Sequence, residues 1–178
     1  GGFVGHNDEP SEISLSFRSE VVPVVLSVGI RRAENLPVSM AQTLDSFVRV
    51  VVAGQVQDTR VVHSQTAPVF NDQFSFNIFS EDLTKEMVLT IRSITGAKAT
   101  AAYLGQCRFN LLTLLESRST KDGWSTLMDK HLKPIPANGV DGTQGYARIW
   151  VTISCNLRDD DRIALSELGF SRDASGRV

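Results

Sequence analysis

Few side chains in this sequence stand at the spacings that chemistry requires. The three histidines, His6, His63 and His131, fall in unrelated segments, and neither Cys107 nor Cys155 belongs to a Cys-x-x-Cys pair, so no metal-ligand spacing is present. No Gly-x-Ser-x-Gly elbow, phosphate-cradling glycine loop or His-Glu-x-x-His pattern occurs. The two acidic stretches, 8–12 and 159–161, lie in segments that read as tails. Asp159-Asp160-Asp161 opens a helix-compatible stretch that closes at Gly169, where carboxylates interact favourably with a helix dipole. The expectation is a protein with no catalytic residue, no metal and no cofactor.

Charge and hydropathy narrow the partners. Eighteen Lys and Arg stand against twenty Asp and Glu, a formal net charge of -2, so no global positive field draws in a phosphate backbone and no nucleic acid is expected. The longest apolar runs, Val21 to Ile30 and Phe47 to Ala53, are far shorter than the roughly 18 residues that span a bilayer, which predicts a chain that is not transmembrane. With 42% hydrophobic and 21% charged residues the composition supports a folded core. Two cysteines in strand-like context and the absence of any Asn-x-Ser/Thr acceptor point to a cytoplasmic protein with two buried thiols.

The elements that would position any site repeat with a period of two. Val24, Leu26, Val28 and Ile30 share one face of a first strand, and Val25, Ser27, Gly29 and Arg31 share the other. Further strands are predicted at Phe47 to Ala53, Val56 to His63, Gln73 to Phe79, Met87 to Ser93 and Tyr103 to Phe109. Leu111 to Leu115 reads as a short connecting helix, and Trp124 to Leu127 as a strand entered through a Lys121-Asp122-Gly123 turn. A loop rich in Pro, Asn and Gly then leads to an eighth strand in which Ile149, Val151, Ile153 and Cys155 alternate with Trp150, Thr152 and Ser154. Eight strands without βαβ alternation select an all-β fold, an eight-stranded antiparallel β-sandwich with a short connecting helix and a short C-terminal helix. The organisation expected is an N-terminal linker or arm over 1–20, the sandwich over 21–156 and a tail over 157–178.

The order of the motifs resembles the C2 domain family. Leu26 to Ile30 followed by Arg32-Ala-Glu-Asn-Leu-Pro37 is similar to that family's opening strand and its "A-x-N-L" turn, and Asp45-Ser-Phe-Val-Arg-Val50 to its "S-D-P-Y-V-K-V" strand. Ala67-Pro-Val-Phe-Asn-Asp72 with Phe74-Ser-Phe76, Tyr103-Leu-Gly105 and Trp124-Ser-Thr-Leu127 resemble its "N-P-x-W-N-E-x-F-x-F", "D-x-L-G" and "W-Y-x-L" segments. Because the strand beginning near Gly145-Tyr-Ala-Arg-Ile149 comes last, the arrangement resembles the permuted, type II topology.

The resemblance also implies where binding residues would stand. The family's calcium site draws carboxylates from two loops at one end, since the ion takes roughly six to eight oxygens. Asp45 falls at one aspartate position, but Ser39 replaces another. In the opposite loop one register puts Ala102, Gly96 and Ile94 at the acidic positions and a shifted one puts Thr95 and Ser93 there, so calcium independence is the expectation. Arg49 and Arg60 match two positions of the cationic face on which some members hold phosphoinositide headgroups, while Val51, Val56 and Asp58 replace other basic positions. Val38, Met40 and Leu44 are candidate apical loop contacts. The reading is a calcium-independent, non-catalytic docking module of a larger intracellular protein that binds a protein partner. The alternative is peripheral targeting to phosphoinositide or anionic phospholipid membranes. Association with membrane or cytoskeleton would then come through the parent protein.

Overall fold

The clearest period-two segments become strands that bury one row of side chains each. The computed structural model describes residues 2, 22–37, 44–95, 100–118, 120–137 and 145–157. The expected C-terminal helix, most of the N-terminal arm, and Val38, Ser39, Met40 and Gly96 lie outside the described residues. The eight strands described are β1 (Pro23–Glu34), β2 (Asp45–Val52), β3 (Gln55–Asp58), β4 (Val69–Phe79), β5 (Glu86–Ile94), β6 (Ala102–Asn110), β7 (Lys121–Thr126) and β8 (Arg148–Asn156). They form two four-stranded sheets, ordered β4-β1-β8-β7 and β3-β2-β5-β6, in which every named pairing is antiparallel.

The sheets close on one apolar core. Val24, Leu26, Val28 and Ile30 of β1, Ile149, Val151 and Ile153 of β8, Val48, Val50 and Val52 of β2, and Leu89 and Ile91 of β5 belong to one buried cluster. This is the packing of two sheets that each have one apolar face, with β-branched side chains filling the space between. Phe76 and Ile78 reach the core as their alternation predicts, whereas Phe74 is only partly buried against it. No helix among the described residues is long and apolar enough to cross a membrane.

Helix α1 (Leu111–Glu116) connects β6 to β7 as expected, capped by the Asn110 side chain, which accepts the Thr113 N–H at 3.1 Å. A single turn of 3-10 helix, Ser80–Thr84, joins β4 to β5. There Asp82 accepts the Phe79 N–H at 3.0 Å and pairs with Lys85 at 2.9 Å.

Several strand boundaries differ from the sequence expectation, and some have a clear local reason. The segment predicted over Val56 to His63 is a strand only to Asp58. Thr59 follows, and its hydroxyl accepts the Val48 N–H at 2.9 Å, taking the place of a ladder carbonyl. The chain returns to β2 only through a bridge between Ser46 and Val62. Lys121-Asp122-Gly123 is not a turn but the first half of β7, paired with Ile153, Thr152 and Val151. Asp122 directs its carboxylate across the sheet, not onto its own backbone. Leu127 lies beyond β7, fully buried, with its N–H on the Ala147 carbonyl.

A further difference shapes the candidate site. β1 does not stop at Ile30 but continues to Glu34 through a bulge, the register on β8 passing from Ile30–Val151 directly to Arg32–Trp150. Two residues, Arg31 and Arg32, therefore stand opposite one. The extra residue also resets the alternation, so that Ala33 is buried where unbroken period two would bury Arg32.

Candidate functional site

Asp45, Arg49 and Arg60, singled out by their likeness to a cation site or a phosphate site, are already engaged. Asp45 sits at the start of β2, where its Oδ1 accepts the Ser64 N–H at 2.9 Å and its Oδ2 lies 3.1 Å from His63 Nδ1. The His63 contact, then the Ser64 N–H, hold its carboxyl below the usual carboxylate range. Ser93, Ile94, Thr95 and Ala102 bring no carboxylate to that end of the sandwich. Among the described residues no three His, Cys, Asp or Glu side chains gather as a metal site would require. Leu44 packs, half-buried, against the core.

Arg49 and Arg60 are brought to different acceptors. Arg49 projects from the solvent face of β2 and forks onto Asp58 of the neighbouring strand, Nε to Oδ1 at 2.8 Å and Nη2 to Oδ2 at 3.0 Å. That bidentate geometry is the one a phosphate would otherwise take. Arg60 donates to the Phe70 carbonyl at 2.9 Å, its backbone N–H goes to Asp72 Oδ2 at 2.7 Å, and its Nε lies 3.9 Å from Asp72 Oδ1. Gln55 and Gln57 make similar contacts, donating to the Asn77 and Ser75 carbonyls at 2.6 and 3.0 Å. Arg60 thus belongs to a row of side chains that saturates the free edge of β4.

A different face gathers residues that sequence reasoning left unassigned. Trp124 and Trp150 are directly paired across β7 and β8 and meet edge to face, ring centroids 5.4 Å apart and planes at 67°. The bulge at Arg31 lays the Arg31 guanidinium 5.4 Å from the Trp150 ring centre and that of Arg32 5.2 Å from Trp124. Arg148, two residues before Trp150 on β8, lies 4.1 Å from the Trp124 ring centre. A guanidinium over an indole is attracted by the ring quadrupole.

Carboxylates set this cluster. Asp122 accepts the Trp150 Nε1–H at 2.7 Å and the Thr152 hydroxyl at 3.4 Å, fixing the ring plane. Glu34 pairs with Arg148, taking both Nε and Nη2 on one oxygen. Arg31 and Arg32 are exposed, and neither forms an ion pair among the described residues. Beside them the floor of the sheet is low: Gly29 faces Thr152 on β8 and Gln73 on β4, with Ser27, Ser75 and Ser154 in the next row. The legible signal was the outward parity of Trp150 together with the Arg31-Arg32 doublet. What the sequence does not carry is the bulge that turns both arginines to one side.

Comparison with known proteins matches a family model described as C2 domain to residues 24–127. A structure of Extended-Synaptotagmin 2 that contains its SMP domain and two C2 domains aligns at 16% identity with a TM-score of 0.58, covering 80% of this chain and 30% of its own. A single C2 domain of a plant Extended Synaptotagmin 1 aligns at 15% identity with a TM-score of 0.56, covering 75% and 95%. A structure described by the words "CC2D1B coordinates ESRCT-III activity during the mitotic reformation of the nuclear envelope" aligns at 18% identity with a TM-score of 0.55, covering 73% and 54%. This chain thus spans under a third of the first and about half of the last. At these identities the likenesses speak to the fold.

Proposed function

The chain belongs to the C2 domain family, and from that premise we propose that it is a non-catalytic, calcium-independent docking module of type II topology that holds a larger intracellular protein to a protein partner. Members of such a family act as membrane- or protein-binding modules, and one observation favours the second kind here. Both indoles of the chain and three arginines share the outer face of the β4-β1-β8-β7 sheet. Trp and Arg are the side chains that dominate binding energy at protein interfaces. Calcium independence rests on Asp45, whose two oxygens are taken by His63 and Ser64. The competing reading, a phosphoinositide on Arg49 and Arg60, requires a headgroup to displace Asp58 from one and to settle beside Asp72 at the other. Exchanging one ion pair for another at a surface gains little.

Co-sedimentation with neutral and phosphoinositide-containing vesicles, each with calcium and with chelator, tests the proposal. The expected result is no pelleting in any arm. Calcium-dependent pelleting would overturn calcium independence. Chelator-resistant, phosphoinositide-selective pelleting that Arg49→Ala with Arg60→Ala abolishes would replace protein docking by membrane targeting.

A further inference from the structure

We propose that the outer face built on Trp124 and Trp150 binds an acidic, extended peptide segment of a partner protein, with Arg31 and Arg32 taking its carboxylates. The inference rests on the docking reading above and adds the chemistry of the partner. Of the three guanidiniums on the face, that of Arg148 is engaged by Glu34, whereas those of Arg31 and Arg32 lie over the indoles and form no ion pair among the described residues. A guanidinium attracted to an indole through the ring quadrupole still has five N–H donors to satisfy, and a carboxylate is their matching bidentate acceptor. The indoles hold both arginines in place beforehand, so less side-chain freedom is lost when an anion arrives.

The neighbouring surface favours a chain over a membrane. Gly29 puts no side chain on the sheet beside the arginines, and a Cβ built there would meet Thr152 first, at 3.4 Å. A peptide backbone can therefore approach the sheet closely. Asp122 and Glu34 stand on the same face as the arginines. A uniformly anionic bilayer plane would be set against both carboxylates, whereas a peptide can place its own acids over Arg31 and Arg32 and turn amide donors toward Asp122.

Both tryptophans of the chain are on this face, so intrinsic fluorescence reads the site directly. The protein is titrated with a short Glu/Asp-rich peptide, with the same peptide carrying Gln/Asn, and with phosphatidylserine vesicles. Expected is a saturable change with the acidic peptide alone, weakened about tenfold or more by Arg31→Ala with Arg32→Ala, as loss of charge-assisted pairs implies. Arg108→Ala, which removes an exposed arginine from β6 in the other sheet, should leave the titration unchanged. An equal response to the Gln/Asn peptide would overturn the acidic chemistry while keeping the docking face. No response to either peptide, or loss of response in Arg108→Ala as great as in the double variant, would overturn the site itself. A vesicle response that depends on Arg31 and Arg32 would give the face to a membrane instead.

Discussion

Trp124→Ala is the most informative single perturbation, because one side chain carries three of the contacts that define the tryptophan–arginine cluster. Its ring meets Trp150 edge to face at 5.4 Å, an arrangement that contributes about 1 kcal/mol beyond area burial. Arg148 at 4.1 Å and Arg32 at 5.2 Å each add about 0.5 kcal/mol, the lower end of the scale because the site is solvated. Loss of the half-buried indole's apolar contact adds about 1 kcal/mol. The expected destabilisation is therefore about 3 kcal/mol, at the low end of the range for a fully buried aromatic. Urea unfolding followed by far-ultraviolet circular dichroism should show a midpoint lower by about 1–2 M with an unchanged slope. Trp124→Phe, which keeps a ring for the arginines, should lose about 1 kcal/mol. A double-mutant cycle with Arg148→Ala should return a coupling of about 0.5–1 kcal/mol. A loss under about 1 kcal/mol for Trp124→Ala, or strict additivity in the cycle, would refute the claim that these residues form one cohesive cluster.

Two further outcomes follow from the titrating groups. Asp45, Asp82 and Asp129 all have depressed carboxyl pKa values, through His63 and Ser64, through Lys85 and the Phe79 N–H, and through the Lys133 and His131 N–H groups respectively. A depressed carboxylate contributes stability above its unfolded value of 3.8, and that contribution disappears as pH falls through the folded value. Thermal melting should thus be insensitive to these groups above about pH 5 and fall off below 3.8, less steeply in Asp82→Asn; an acid limb unaltered by that substitution would contradict the assignment. Burial pushes the Cys107 thiol up to about 12 and the Cys155 thiol up to about 11. Both should be alkylated far more slowly in the native protein at about pH 8 than in urea, and native labelling at the free-thiol rate would count against their placement beside the core.

The sandwich was legible because strand faces are written locally. Strands such as those of Val24 to Ile30 and Ile149 to Ile153 carry their inward row at every second residue, and a period of two needs no knowledge of the partner strand. Boundaries were less legible where a side chain replaced the backbone ladder, as the Thr59 hydroxyl does at the end of β3. Asp122 likewise reads as a turn residue until Trp150 is placed beside it. The candidate phosphate contacts show the same division. Sequence places Arg49 and Arg60 on strand-like segments, but only the pairing of β2 with β3 and the packing of the β4 edge set Asp58 and Asp72 against them.

By itself, then, the sequence determined the fold class, the inward rows, the absence of a carboxylate cluster at the expected positions and the shortage of net positive charge. Tertiary structure alone decided which residues come together on the outer face of the β4-β1-β8-β7 sheet. Arg31 and Arg32 are separated from Trp124 and Trp150 by most of the chain, and they meet because β8 inserts between β1 and β7 while a bulge adds one residue to β1. Alternation is a property of one strand, whereas register and bulges belong to pairs of strands, and a shift of one residue in that pairing would turn the arginines away from the indoles.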